Sequence, residues 1–159
     1  DLELELERAG GSYRTRGDRA ELEQVLSNLI VNAVQASTSP NRVTVTVRKL
    51  RRLPAAELGG SAAEYVELGV HDDGPGIGDV PPADLFLPFY TTKPVDEGTG
   101  LGLAMVHGIV HRAGGHILLT SSPAAGTRFE LLFPAAGAPV ASAPYSPKGS
   151  RSKASHPAG

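Results

Sequence analysis

Three glycines at alternate positions, Gly98, Gly100 and Gly102, run straight into an apolar segment of helical character in the stretch DEGTGLGLAMVHGIVHRAGG. Glycines ahead of a helix bare backbone N–H groups where the helix dipole also favours negative charge, which is the chemistry of a phosphate cradle. A second cluster, Gly74, Gly76 and Gly78 in DDGPGIG, precedes it. A dinucleotide fingerprint needs G-x-G-x-x-G inside a βαβ unit. Counting from Gly98 instead puts Leu103 at the third glycine, and the first cluster has the wrong spacing too. There is also no Gly-Lys-Ser/Thr, so a P-loop is excluded. Each cluster taken alone reads more readily as a turn.

A second candidate lies earlier. Glu21, Gln24, Asn28, Asn32 and Gln35 recur at helical spacing beside an apolar set of Leu22, Val25, Leu26, Leu29, Ala33 and Ala36. Asn28 and Asn32 are four apart and stack one above the other on a helix. A neutral amide oxygen there suits Mg²⁺, a hard cation that takes few protein oxygens and completes its shell with phosphate and water. A merely solvated helix face is the alternative.

The elements that must position these groups are legible from periodicity. LELELE alternates as a strand, with SYRTR (12–16) as its expected hairpin partner after Gly10-Gly11. Asp18 followed by Glu21 starts a helix that ends at STSPN. RVTVTVRKL and YVELGVHDDG read as strands, and residues 78–99 as a long Pro/Gly/Thr-rich loop. A helix is expected from about Gly100 to Ala113, followed by a hairpin of HILLTSS and TRFELLFP through PAAG. The sum is an α+β, two-layer sandwich with helices on one face of a mostly antiparallel sheet. Residues 1–134 form the expected domain. The Ala/Pro/Ser-rich tail 135–159 holds too little apolar bulk to order itself.

Composition sets the outer bounds. The chain has 159 residues, 40% of them hydrophobic and 20% charged, as in a soluble globular protein. A net charge of -2 gives no global pull toward nucleic acid or acidic membranes. The absence of cysteine rules out disulfides and thiolate metal sites. A first residue of Asp1 rather than Met suggests a fragment of a longer protein, expected in the cytoplasm even if its parent is membrane-anchored.

Together these pieces resemble the catalytic, ATP-binding (HATPase_c, Bergerat-fold) domain of bacterial two-component sensor histidine kinases. That fold is shared with type II topoisomerases, heat-shock-90 chaperones and mismatch-repair ATPases. LEQVLSNLIVNAVQA is similar to the family's Asn-bearing helix box, and HDDGPGIG to its first glycine box. LFLPFYTTK resembles the phenylalanine box, GTGLGLAMVHGIVHRAGG the second glycine box and GTRF the terminal strand motif. The boxes run in order from about Asp18 to Pro134. The PFYTTK…GTGLGL form is most similar to the nitrogen-regulation-like branch.

The resemblance implies ATP and Mg²⁺ as ligands. Asp72 would accept from the adenine amino group, with Gly74, Gly76 and Ile77 forming the turn beneath the ring and Thr127 supporting the contact through water. Asn32 would hold Mg²⁺, with Asn28 lining the same site and Lys93 reaching the phosphates. Thr99, Gly98, Gly100, Leu101 and Gly102 would form the phosphate end of an ATP lid. Phe86 and Phe89 would anchor that lid or simply pack.

ATP-hydrolysing relatives carry Glu where Asn28 stands, which favours a kinase over an ATPase. His71, His107, His111, His116 and His156 all lack the context of the phosphorylated histidine. The resemblance places that residue on a separate dimerisation domain, before Asp1, with a response-regulator receiver domain as the further partner. No nucleic acid or direct membrane contact is expected, and the isolated domain is expected to be a monomer. Gln35 stands where many relatives carry Lys or Arg, leaving charge balance to Lys93 or Arg112. The alternatives are a serine-kinase or ATPase member of the same fold, and a module that has lost nucleotide and only binds partners.

Overall fold

The computed structural model describes residues 2–8, 13–36, 41–52, 63–91 and 99–137. Strand β1 (Leu2–Arg8) leads to helix α1 (Arg19–Ala36), strands β2 (Asn41–Arg52) and β3 (Ala63–Asp72), a short 3-10 turn at Asp84–Phe86, helix α2 (Gly102–Arg112), and strands β4 (His116–Ser122) and β5 (Gly126–Pro134). The strands form one sheet in the order β1-β2-β3-β5-β4. All pairings are antiparallel except the edge pair β1–β2, which is parallel.

The start of α1 is chemically specified. Asp18 Oδ1 accepts from the backbone N–H groups of Ala20 at 2.7 Å and Glu21 at 3.2 Å, satisfying two donors the helix itself cannot use. Val25, Leu29 and Ala33 recur along one stripe of α1 and are buried, as are Val106, Ile109 and Val110 of α2. The strands alternate, so Val43 and Val45, Leu68 and Val70, and Phe129, Leu131 and Phe133 meet those stripes in a single core. Burying each such side chain contributes roughly 1.5–3 kcal/mol. The opposite sheet face is polar. There Arg48 Nε lies 2.6 Å from Glu67 Oε1, and this pairing holds the Arg48 guanidinium more firmly protonated than usual.

The strand and helix assignments from periodicity agree with the structure, with one correction. Segment 13–16 is not a hairpin partner of β1, because β1 pairs with β2 instead. Thr15 bridges Ala135, its hydroxyl donates to Pro134 O at 2.9 Å, and Ala136 N–H donates to Arg14 O at 2.7 Å. An alternating run can show that a strand exists but not which edge it will find. The expected disorder of the tail falls, from residue 138 onward, outside the described residues.

Candidate functional site

Strand β3 ends at Asp72, on the side of the sheet that faces the helices, and the chain turns there into the first glycine cluster. Asp72 is 4% exposed and accepts from Gly74 N–H at 2.9 Å. Burial pushes its carboxyl above the usual carboxylate range; the backbone N–H groups of Gly74 and Thr127 and the nearby His71 pull it back in part. A buried carboxylate held by two backbone donors has lone pairs fixed in direction, and so can select a ligand donor.

Asp72 and Thr127 are partners in the β3–β5 register. Both line a cavity of about 560 Å³ between the two helices and this end of the sheet. Gly76 and Ile77 form one part of its wall, Asn28 and Asn32 of α1 another, and Thr99, Gly100 and Gly102 the approach to α2. Leu29, Val70, Leu85 and Phe129 supply apolar surface between them, suited to a flat ring.

Gly76 adopts φ +78°, and a Cβ there would come within 2.9 Å of Ser121 Oγ. The turn therefore lies directly on the end of β4. Ile77 N–H donates to Ser121 Oγ at 3.0 Å, fixing it there. Sequence reasoning passed over Ser121, since a serine near a strand end carries no signal of its own. Its role appears only when β4 and the glycine turn are in contact.

At the far side of the cavity α2 begins at Gly102, and no side chain caps its first turn. This contrasts with the Asp18 cap of α1. Uncapped N–H groups and the positive end of the helix dipole face the cavity together, a ready anion site. Asn28 Nδ2 donates to Gly102 O at 3.3 Å, while Asn28 Oδ1 accepts from Gln24 Nε2 at 3.3 Å. Asn28 thus ties α1 to the start of α2, while Gln24 and Gln35 of the same stripe are exposed. Asn32, one turn further, lines the cavity.

Not every candidate sits on the wall. Gly74 acts behind it, through Asp72. Leu101 lies at the entrance to α2 and is 37% exposed. Lys93 and Gly98 fall outside the described residues. Arg112 points elsewhere, with Nη2 2.6 Å from Glu21 Oε1, and is not part of the wall. The two phenylalanines separate: Phe86 packs on the core and against the His107 ring at 5.4 Å, whereas Phe89 is exposed.

Among the described residues no group of three or more His, Cys, Asp or Glu side chains could hold a metal by itself. The Asn32 amide does fit a hard cation that arrives with phosphate and water oxygens. The arrangement as a whole places fixed acceptors at one end, a neutral oxygen on the wall and, among the described residues, a helix start without a side-chain cap at the other end. Also among the described residues, no helix is long and apolar enough to cross a membrane.

Residues 17–137 match the family of histidine kinase-, DNA gyrase B- and HSP90-like ATPases. The chain is 38% identical over 141 residues to the sensor kinase CckA of Brucella abortus, covering 84% of this chain and 14% of that protein. It is 40% identical over 119 residues to the sensor histidine kinase ZraS of Escherichia coli K12, covering 75% of this chain and 23% of that protein. The chain therefore spans less than a quarter of the length of either curated relative. Among solved structures, the catalytic domain of histidine kinase ThkA superposes with TM-score 0.65 at 28% identity, covering 84% of this chain and 78% of that one. Full-length ShkA in complex with AMPPNP superposes with TM-score 0.62 at 27% identity, covering 84% of this chain and 26% of that one.

Proposed function

Because this chain belongs to the histidine kinase-, DNA gyrase B- and HSP90-like ATPase family and has the ATP-binding catalytic domain of a sensor histidine kinase, we propose that its cavity binds Mg-ATP and presents the γ-phosphoryl group to a histidine on a dimerisation domain of the parent protein. One observation carries this reading. A single cavity joins the acceptor pair Asp72 and Thr127 to the uncapped start of α2. The adenine amino group donates to the first, and the phosphates accept from the second.

Phosphoryl transfer asks the protein mainly to position groups and offset charge. The imidazole nitrogen of the acceptor forms a bond to phosphorus as the bond to the ADP oxygen breaks. Asn32 is the residue that would hold Mg²⁺, which offsets charge on the phosphates when bound. Asn28 keeps the N-terminus of α2 aimed at them. A response-regulator receiver domain then takes the phosphoryl group. The narrower likeness to the nitrogen-regulation-like branch rests on PFYTTK and GTGLGL, of which Thr92, Lys93 and Gly98 lie outside the described residues.

The hydrolytic reading is less well supported. Asp72 is the only carboxylate among the described residues that line the cavity, and it is engaged with backbone N–H groups. Among the described residues that line the cavity, no second acid is placed to activate water. His71, His107, His111 and His116 are absent from the wall, consistent with an acceptor supplied from elsewhere. The test is to mix the chain with radiolabelled ATP and a histidine-bearing dimerisation domain of the parent protein. Acid-labile label should appear on that domain and not on this chain. Rapid phosphate release by the chain alone, with no transfer, would instead favour an ATPase.

A further inference from the structure

We propose that Ser121 is a positioning residue that sets which nucleobase the cavity accepts, an inference that rests on the nucleotide reading above. Ser121 does not itself line the cavity. It acts through two neighbours that do.

A serine hydroxyl has one hydrogen and two lone pairs. Ile77 N–H donates to Ser121 Oγ at 3.0 Å, occupying one lone pair. The Ser121 hydrogen goes to Gly126 O at 3.2 Å. In the remaining contact, 3.4 Å to Thr127 Oγ1, either hydroxyl can donate; with the Ser121 hydrogen engaged by Gly126 O, we assign the donor to Thr127. Every position on Ser121 is thereby filled.

The consequence falls on Thr127. Its own hydrogen is turned away, so Thr127 Oγ1 offers only lone pairs to the cavity, beside the carboxylate of Asp72. Thr127 is 4% exposed, which leaves it little freedom to re-orient toward solvent. Two adjacent acceptors favour a base whose edge carries an amino group, directly or through a water that donates to Thr127. They disfavour a base with a carbonyl at the same place, because acceptor would face acceptor. Ser121 also seats the turn, since the Gly76 Cα packs against Ser121 and the Ser122 carbonyl so closely that a Cβ would reach both within 3.0 Å. One hydroxyl thus fixes the height of the wall beneath the ring and the proton direction at its edge.

The experiment is calorimetric titration of the full chain with non-hydrolysable Mg-ATP and Mg-GTP analogues, comparing wild type with Ser121→Ala, Ser121→Thr and Ser122→Ala. Removing the Ser121 hydroxyl frees the Thr127 hydrogen to face the cavity. Ser121→Ala is expected to weaken the ATP analogue about tenfold and the GTP analogue by about threefold or less, narrowing the preference for adenine. Ser121→Thr keeps the hydroxyl and should restore the wild-type ratio. Ser122→Ala loses only a turn contact to Ala125 N–H, 3.1 Å long, and should lower the melting temperature without changing the ratio. An unchanged ATP-to-GTP ratio in Ser121→Ala, whatever its stability, would overturn the inference. Wild-type protein that binds neither analogue would instead overturn the nucleotide reading beneath it.

Discussion

The backbone N–H of Phe89 donates to the carbonyl of Gly100 across 3.0 Å, joining the turn after Leu85 to the approach of helix α2. Both residues adopt left-handed backbone conformations, Phe89 at φ +67° and Gly100 at φ +65°. For Phe89 this costs on the order of 1 kcal/mol, and its side chain, 75% exposed, recovers little of that by packing. For Gly100 the absence of a Cβ is essential, since one would lie 2.5 Å from the Phe89 carbonyl carbon.

Gly100→Ala is therefore expected to destabilise the chain by about 2–3 kcal/mol, through strain at positive φ and displacement of Phe89. Gly108→Ala is the comparison. Gly108 lies inside α2, where an added Cβ meets only the end of the Arg112 side chain at 3.4 Å. That variant should be neutral or gain about 0.5–1 kcal/mol from helix propensity. Urea denaturation of both tests the pairing; equal stabilities would contradict it.

Arg112 pairs with Glu21 at the surface and does not line the cavity. Its bridge to Glu21 is 2.6 Å long, but the two side chains are 61% and 42% exposed. Arg112→Ala should cost no more than about 0.5 kcal/mol and leave the dissociation constant for Mg-ATP analogue unchanged. A large loss of affinity would show that Arg112 reaches the nucleotide after all.

His116 gives stability a pH dependence of definite sign. Burial holds its pKa below the ordinary 6.5, with the nearby His111 adding to the effect, and its Nε2 lies 3.5 Å from the Tyr65 hydroxyl. The folded state prefers neutral imidazole, so its contribution is present above the unfolded pKa and is lost as pH falls through the folded one. Between about pH 7.5 and pH 5.5 the melting temperature of wild type should fall more than that of His116→Gln. Parallel curves for the two would remove His116 from the explanation.

Much of this architecture was legible in the sequence because burial stripes repeat with the period of the element that carries them. Val25, Leu29 and Ala33 mark α1, and the alternation of Val43, Val45 and Val47 marks β2. Asp72 and Asn32 stood out through the resemblance of their boxes to the family's, because an Asp at a turn and an Asn on a helix face are ordinary by themselves. The edge pairing of β1 was not legible, because alternation fixes faces and leaves partners open. Nor was the use of Asn28, whose partner is a backbone carbonyl 74 positions later. Ser121 escaped for the same reason, since its meaning lies in a turn 44 positions earlier.

The proposed Mg²⁺ role of Asn32 is testable apart from base recognition. Asn32→Ala removes the amide oxygen on the cavity wall but leaves Asp72 and Thr127 in place. The variant should bind an ATP analogue with similar affinity in the presence and absence of Mg²⁺, whereas wild type should bind more tightly with Mg²⁺. Titrations with and without chelator check this. Persistence of the full magnesium effect in the variant would place the cation elsewhere.

In the proposed function Asp72 is the base-reading group of a nucleotide site. Its most direct test is calorimetric titration of wild type and Asp72→Asn with a non-hydrolysable Mg-ATP analogue. Asparagine keeps the volume but replaces one acceptor oxygen with a donor, which would face the amino group of the base. One saturable site is expected in wild type and a loss of at least about tenfold in the variant, with the fold intact by circular dichroism. No heat from wild type at millimolar analogue, or equal affinity in the two proteins, would contradict this reading.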